Sequence, residues 1–385
     1  MPWQEQSPMD LRIQLVREFE SGLFTMTELA ETYRISRKTA YKWVERYAQR
    51  GIVGLVDQSR RPHQCPHATP PAVAQAVIDA RRRHPTWGAP KLLAWLRAHQ
   101  PTTAWPAPST ACALLQQAGL VRTRRRRRPA APRERRLSAP VMPNDLWTVD
   151  YKGEFRTGDA QWCYPLTLRD GASRFVLRID ALAGPTYAAT RRCFLRAFAE
   201  YGLPLGLRSD NGSPFASTGL GGLSRLAIWW LQLGIRPERI LPGHPEQNGG
   251  HEQFHAVLKA ETARPPARTS LAQQRRFGRF RREYNDHRPH QALGQTTPST
   301  HYRPSTRSLP ARLPPFDYLG HLEVRRVGSN GCVTWSQAIL FLGRALEGHN
   351  VGFEEIADGI WTVQIGPLPI AHFNARTHDV TELPW

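Results

Sequence analysis

The sequence has no long hydrophobic run. Its longest apolar stretch, LAIWWLQLGI, falls far short of the ~18 residues a helix needs to cross a bilayer. The first residues, MPWQEQSPMDLRIQ, lack the apolar core of a secretion signal. Both features predict a soluble, cytoplasmic protein without a membrane partner. Cysteine is sparse: Cys65, Cys112, Cys163, Cys193 and Cys332 are scattered with no CxxC pair, which excludes a disulfide framework and the common zinc modules. His63, Cys65 and His67 alternate within a proline-rich stretch, a poor geometry for a tetrahedral site. Acidic residues are also scarce, 32 against 52 Lys plus Arg, so the formal net charge is +20. Lysine is rare beside arginine, and the arginines are clustered. That excess points to a polyanionic partner; on charge alone a ribosomal or membrane-surface protein would fit as well. What is plentiful is tryptophan, 12 residues in a chain of 385, which favours several folded domains over a disordered basic tail.

Residues 8–60 read as three helices. DLRIQLVREFESG spaces Leu11, Leu15 and Phe19 four apart and stops at Gly22. TMTELAETYRI follows, with Thr27 as the expected cap and Leu29, Ala30 and Tyr33 facing inward. A tight turn then leads to SRKTAYKWVERYAQRG, capped by Ser36, with Ala40, Val44 and Tyr47 towards the core. Arg37, Lys38, Tyr41 and Lys42 are left exposed at the start of this last helix, as in a helix-turn-helix recognition helix. The competing reading is a plain three-helix bundle with a solvated charged face. The basic helix start and the short turn favour DNA.

A proline-rich linker follows, and residues 70–122 repeat the helical pattern over PAVAQAVIDARRRH, PKLLAWLRAH and STACALLQQAGL, with Ser109 and Thr110 expected to cap the third helix. Helical periodicity alone cannot show DNA contact there, but a second helix-turn-helix or winged-helix module would raise affinity through effective concentration. Residues 123–140 form an arginine-rich linker. Its consecutive Arg124, Arg125, Arg126, Arg127 and Arg128 are expected to follow a DNA backbone with steep salt dependence rather than serve as a mere solvated spacer.

From 141 to 305 strands precede and then alternate with helices, an α/β layout. LWTVDYKGEF, CYPLTLRDGA and RFVLRIDAL read as strands, TYAATRRCFLRAFAEYG as a helix, and LPLGLRSD as a further strand stopped at Asn211-Gly212. Asp150 and Asp210 thus sit on different strands, and Glu252 lies just inside a helix that starts after Asn248. Three oxygen ligands of this kind suit a hard cation such as Mg²⁺ or Mn²⁺. In so basic a chain the natural substrate is a phosphodiester. Residues 315–385 are rich in strands and turns, with hairpin signals at Asn330-Gly331 and Asp358-Gly359, and predict a small all-β, barrel-like domain with a modest core.

The order helix-turn-helix, WTVD, SDNG, HPEQNGGHEQFH, YNDHRPHQAL resembles insertion-sequence transposases of the retroviral-integrase (DDE) superfamily, over roughly residues 10 to 305. The resemblance implies N-terminal all-α helix-turn-helix modules followed by an α/β RNase-H-like catalytic core. It implies a polynucleotidyl transferase that binds the terminal inverted repeats of a mobile element, cuts there, and joins the ends to target DNA. It further implies two Mg²⁺ ions, for which Mn²⁺ can substitute, with Asp150 shared between them and Asp210 and Glu252 completing one site each. Synapsis of two double-stranded DNA ends implies a homo-oligomer, a dimer or higher.

Two glutamates compete for the place of the third acid. Positions 211–245, thirty-five residues, separate Asp210 from Glu246, a familiar spacing in retroviral integrases, so counting selects Glu246. But Glu246 lies among prolines and glycines in PGHPEQNGG, where nothing holds the backbone rigid. From Asn248 as N-cap, Glu252, His255 and Lys259 share one polar helix face while Phe254, Val257 and Leu258 can pack on the sheet. The family's third acid also follows its PxxNGxx signature, and an insertion around STGLGGLSRLAIWW accounts for the longer spacing. Glu252 is therefore the expected ligand, with His255 and Lys259 expected to touch DNA. Asp170 is expected to support the turn after its strand, by capping or by pairing with Arg174. Asn285, Arg288, Pro289 and His290 are read as structural or DNA-contacting. A catalytically inactive, sequence-specific DNA-binding regulator derived from a transposase is the runner-up, and a retroviral-type integrase is disfavoured because no His₂Cys₂ module precedes the core.

Overall fold

A computed structural model describes residues 7–59, 68–121, 139–217, 219–240, 249–336 and 338–383. Glu246, Asn248, the run Arg124–Arg128 and the His63, Cys65, His67 group lie outside them. The chain divides into two compact units, Met1–Ala68 and Thr69–Trp385.

In the first unit α1 (Pro8–Glu20), α2 (Met26–Thr32) and α3 (Arg37–Arg50) enclose a core of Leu15, Val16, Met26, Leu29, Ala40, Trp43 and Leu55. The expected Leu11–Leu15–Phe19 stripe is rotated: Val16 is buried, while Leu11 is exposed. Thr25, not Thr27, caps α2. Its hydroxyl accepts from Glu28 N, and the Glu28 carboxylate accepts from Thr25 N at 2.7 Å, a reciprocal box that needs three-residue spacing. Ser36 caps α3 as expected, through Thr39 N.

The second unit opens with α4 (Pro71–Arg83), α5 (Ala89–His99) and α6 (Pro108–Gln117), packed around Val77, Trp87, Leu92, Leu93, Leu96 and Leu115. Neither Ser109 nor Thr110 caps α6. The helix begins at Pro108, whose fixed φ suits the first turn, so both hydroxyl residues already lie inside it.

A six-stranded sheet follows: β1 (Leu146–Tyr151), β2 (Phe155–Arg156), β3 (Trp162–Asp170), β4 (Val176–Leu182), β5 (Gly206–Ser209) and β6 (Arg236–Arg239). β3 pairs antiparallel with β1, β2 and β4, and β1–β5–β6 run parallel. Strand alternation sorts the two faces. Trp147, Val149, Leu166, Leu168 and Leu207 pack with α7 (Tyr187–Tyr201) and α8 (Arg225–Gln232) through Phe194, Phe198 and Trp230. Cys163, Val176 and Ile179 pack with α9 (Gly249–Thr262) and α10 (Ser270–Arg282) through Phe254, Leu258, Phe277 and Phe280. The sheet is thus covered on both faces.

β7 (Glu323–Arg326), β10 (Asn350–Ala357), β11 (Ile360–Ile365), β12 (Leu368–Asn374) and β13 (Val380–Glu382) form a five-stranded antiparallel sheet, with β8 (Cys332–Trp335) and β9 (Ala338–Phe341) as a separate hairpin. Asp358-Gly359 turns β10 into β11 with Gly359 at φ 73°. Asn330-Gly331 makes a turn but no hairpin, because β7 pairs with β10 and β8 with β9. The core of this region is not a small separate one: Trp335, Phe353 and Phe373 belong to one apolar cluster with Trp230 and Phe198. Among the described residues no helix is long and apolar enough to cross a membrane.

Candidate active site

Asp150 lies near the end of β1, paired with Thr167 of β3, and its side chain falls on the α9 face because its neighbour Val149 faces α7 and α8. Asp210 follows β5 directly, and the parallel register Thr148↔Arg208 carries it alongside Asp150. Glu252 is in the first turn of α9, exposed. The Asp150 carboxyl is pushed up to about 7, first by burial and then by the charges of Asp210 and Glu252; a bond from the Tyr151 N–H and the Lys152 charge oppose this. Asp210 is also pushed up, by burial, against a bond from Gly212 N–H. Its Oδ1 is buried without a hydrogen-bond partner among the described residues. A Cβ at Gly212 would stand 3.0 Å from Asp210 Oδ2, so glycine there keeps the carboxylate uncrowded.

Two contacts fix α9 beneath the sheet. Phe254 and Leu258 are buried against α10, and Arg169 Nη1 donates to Gly250 O at 2.7 Å. A Cβ on Gly250 would lie 2.6 Å from Arg169 Nη2, so a larger residue there would push the guanidinium end aside. This places His251 and His255 against Thr167, whose Oγ1 lies 2.9 Å and 2.7 Å from their Nε2 atoms and 3.0 Å from Asp150 O. Burial, then the charges of Lys152 and Arg169, push His255 down to about 3, and burial takes His251 well below the ordinary imidazole value.

Asp150, Asp210 and Glu252 are therefore brought to one face. Among the described residues no three His, Cys, Asp or Glu side chains close to the spacing of a formed metal cage. The donor set nonetheless fits a hard divalent cation: the carboxylates disfavour one another's charge, and Asp210 keeps an orphaned buried oxygen.

Arg37, Lys38, Tyr41 and Lys42 stand exposed at the start of α3, in the first unit. Lys259 is exposed on α9, and its charge, after burial, lowers Lys152. His255 is instead engaged with Thr167 and lies 3.7 Å from Asp150 Oδ2. Asp170 supports its turn, accepting from Asn144 N, Ser173 N and Ser173 Oγ rather than pairing with Arg174. Asn285 bonds both N and O of Val176, a structural role. Sequence reasoning missed Thr167, His251 and Lys152. Thr167 carries no motif, His251 lay unremarked within HPEQNGGHEQFH, and the adjacency of Lys152 to Asp150 was a usable signal.

Comparison with known proteins gives the family. The integrase core domain family matches residues 140–245, and a second integrase core domain family matches 233–298. A helix-turn-helix domain family matches 11–63 and a homeodomain-like domain family 39–115. The chain is 30% identical over 251 residues to the insertion element IS476 39.2 kDa protein of Xanthomonas euvesicatoria, covering 64% of this chain and 69% of that protein. It is 31% identical over 189 residues to the insertion element IS407 31.7 kDa protein of Burkholderia multivorans, covering 48% and 65%. Among solved structures, the catalytic core domain of HTLV-2 integrase in complex with magnesium aligns at 17% identity over 42% of this chain and 98% of its own, with a TM-score of 0.34. A chain of the simian T-cell lymphotropic virus intasome, solved with PP2A regulatory subunit B56 gamma, aligns at 18% over 76% and 97%, with a TM-score of 0.38. Helix-turn-helix domains ahead of an integrase core define a polynucleotidyl-transferase class. Within it, the chain belongs to the insertion-sequence transposases of the retroviral-integrase (DDE) superfamily.

Proposed function

We propose that this protein binds the terminal inverted repeats of a mobile element, cleaves DNA at them and transfers the ends to target DNA, using Asp150, Asp210 and Glu252. The observation that carries the reading is the placement of Asp150 at the end of β1, Asp210 directly after β5 and Glu252 in the first turn of α9, near enough that burial and the charges of Asp210 and Glu252 raise the Asp150 carboxyl. Such a raised carboxyl is costly in an empty site and fits one built to receive positive charge. Two divalent cations, Mg²⁺ or Mn²⁺ in its place, with Asp150 between Asp210 and Glu252, would supply Lewis acidity for in-line attack on a phosphodiester by water and then by a 3′-hydroxyl.

The remaining work belongs to the chain. The β1–β3 ladder and Thr167 hold the Asp150 backbone, so its carboxylate has a fixed origin. Lys152 and Lys259 bring positive charge beside the acids, where a DNA phosphate would otherwise be repelled. Arg37, Lys38, Tyr41 and Lys42 read or grip one DNA segment, the second helical module another, and Arg124–Arg128 follow the backbone between. The active form is a homo-oligomer on DNA.

The test is Asp210→Asn. Cleavage of element ends with Mg²⁺ or Mn²⁺ should disappear while a gel shift on the same DNA persists. Full cleavage by this variant would remove the acidic face from the mechanism. A wild-type protein that shifts the DNA but never cuts it would instead be the inactive regulator.

A further inference from the structure

We propose that His255 is a fourth ligand of this site, offering Nδ1 as a nitrogen donor beside Asp150 to a first-row divalent cation. The proposal rests on the reading of Asp150, Asp210 and Glu252 as a cation site.

The Thr167 hydroxyl oxygen has three polar neighbours: Asp150 O at 3.0 Å, His251 Nε2 at 2.9 Å and His255 Nε2 at 2.7 Å. A hydroxyl donates one proton and accepts up to two. The Asp150 main-chain oxygen can only accept. All three contacts are hydrogen bonds in one assignment alone: Thr167 donates to Asp150 O, and both imidazoles donate Nε2–H to Thr167. His251 thereby saturates the second lone pair of Thr167, and its own Nδ1 is left buried without a partner among the described residues.

This assignment fixes the tautomer of His255. Its Nδ1 bears a lone pair, and that atom lies 3.7 Å from Asp150 Oδ2. The two atoms are too far apart for a shared proton to make a good hydrogen bond. Two electron-pair donors facing each other at this range repel unless a cation accepts from both. A ligating imidazole is ordinarily held in this way, with its other N–H given to a fixed acceptor that sets ring orientation and tautomer. Thr167 is that acceptor, itself fixed by β3 and by the Asp150 backbone. His255 also stands one helical turn beyond Glu252, so both side chains leave α9 on the same side. An imidazole in an otherwise all-oxygen set shifts preference from Mg²⁺ towards Mn²⁺.

The test loads the full chain with Mn²⁺ alone and records pulsed electron paramagnetic resonance for ¹⁴N coupling to the ion. A histidine nitrogen coupling should be present in the wild type and absent from His255→Gln, with Mn²⁺ affinity at least about tenfold weaker and Mg²⁺ affinity less affected. Thr167→Val, which keeps the shape and removes the acceptor, should weaken the coupling while Mn²⁺ still binds. Asp210-dependent Mn²⁺ binding with no nitrogen coupling, or a coupling that survives in His255→Gln, overturns the assignment of His255 alone. Mn²⁺ binding unchanged in Asp210→Asn overturns the reading of the acidic face itself, and the proposal with it.

Discussion

Arg288 Nη1 donates to Glu261 Oε1 at 2.8 Å, and the pair meets the second helical module at Thr86, whose Oγ1 donates to the same Glu261 on the helix that carries Glu252. Arg288 is only 4% exposed; the same Nη1 lies 3.4 Å from Thr86 Oγ1, and the guanidinium sits 5.8 Å from the centre of the Trp87 ring. Nearby, His84 Nδ1 meets Glu283 at 3.3 Å. The α4–α6 module is thus docked on the core through buried charge in the segment YNDHRPHQAL, which explains Arg288 structurally.

Removing one partner of such a pair leaves a charge buried and uncompensated. Glu261 is partly exposed, so Arg288→Ala should cost less than a fully buried pair, roughly 2–3 kcal/mol, and double replacement of Arg288 and Glu261 should cost less than the sum of the singles. Urea denaturation gives the size. Hydrogen exchange should show the loss concentrated in Pro71–Gln117 and the end of α9. Wild-type exchange there in Arg288→Ala would mean that the module is held by its apolar contacts alone.

Acid should destabilise the protein through its buried neutral histidines. Burial, then the cations of Lys91, Arg288, Arg174 and Arg169, push His290 down to about 3. An unfolded imidazole titrates near 6.5, so between 6.5 and 3 the unfolded chain binds a proton that the folded chain refuses. The contribution is whole above pH 6.5 and is lost as pH falls. For His290 the loss amounts to about 2 kcal/mol by pH 5. Asp150 acts oppositely, because at about 7 the folded chain keeps a proton that the unfolded carboxyl has released. Its contribution is whole below about 3.8 and is lost as pH rises through 7. In metal-free protein, His290→Gln should flatten the decline from pH 6.5 to 5, and Asp150→Asn should raise stability at pH 8. Unchanged slopes in urea titrations at these pH values would refute both.

How much of this was legible in the sequence follows from which interactions are local. Helix periodicity and the Ser36 cap are written within a few residues, so α1 to α6 could be located. Asp150 and Asp210 sit at strand ends flagged by β-branched residues and by Asn211-Gly212. What the sequence hid depends on distant partners. β6, Arg236–Arg239, is a charged stretch broken by Pro237 and becomes a strand only because β5 offers it a parallel edge. Thr167 is an ordinary strand residue until the register places it opposite Asp150 and under two histidines of α9. Asn330-Gly331 has hairpin chemistry, yet β10 takes β7 as its neighbour instead.

The third acid is decided by comparing Glu252→Gln with Glu246→Gln. Glu252 stands on a helix anchored by Phe254, Leu258 and the Arg169–Gly250 bond, and its charge contributes to raising the Asp150 carboxyl. Glu252→Gln should therefore reduce cleavage by at least on the order of a hundredfold, as loss of a preorganised charge in an active site does, with end binding unchanged in a gel shift. It should also lower the titration point of Asp150, because one of the charges opposing ionisation is gone. That shift can be followed by carboxyl-carbon NMR in metal-free protein, independently of catalysis. Glu246→Gln should leave both readouts near wild type. Loss of cleavage in Glu246→Gln alone, with the Asp150 titration unmoved by Glu252→Gln, would transfer the third-ligand role to Glu246 and leave Glu252 as a surface charge on α9.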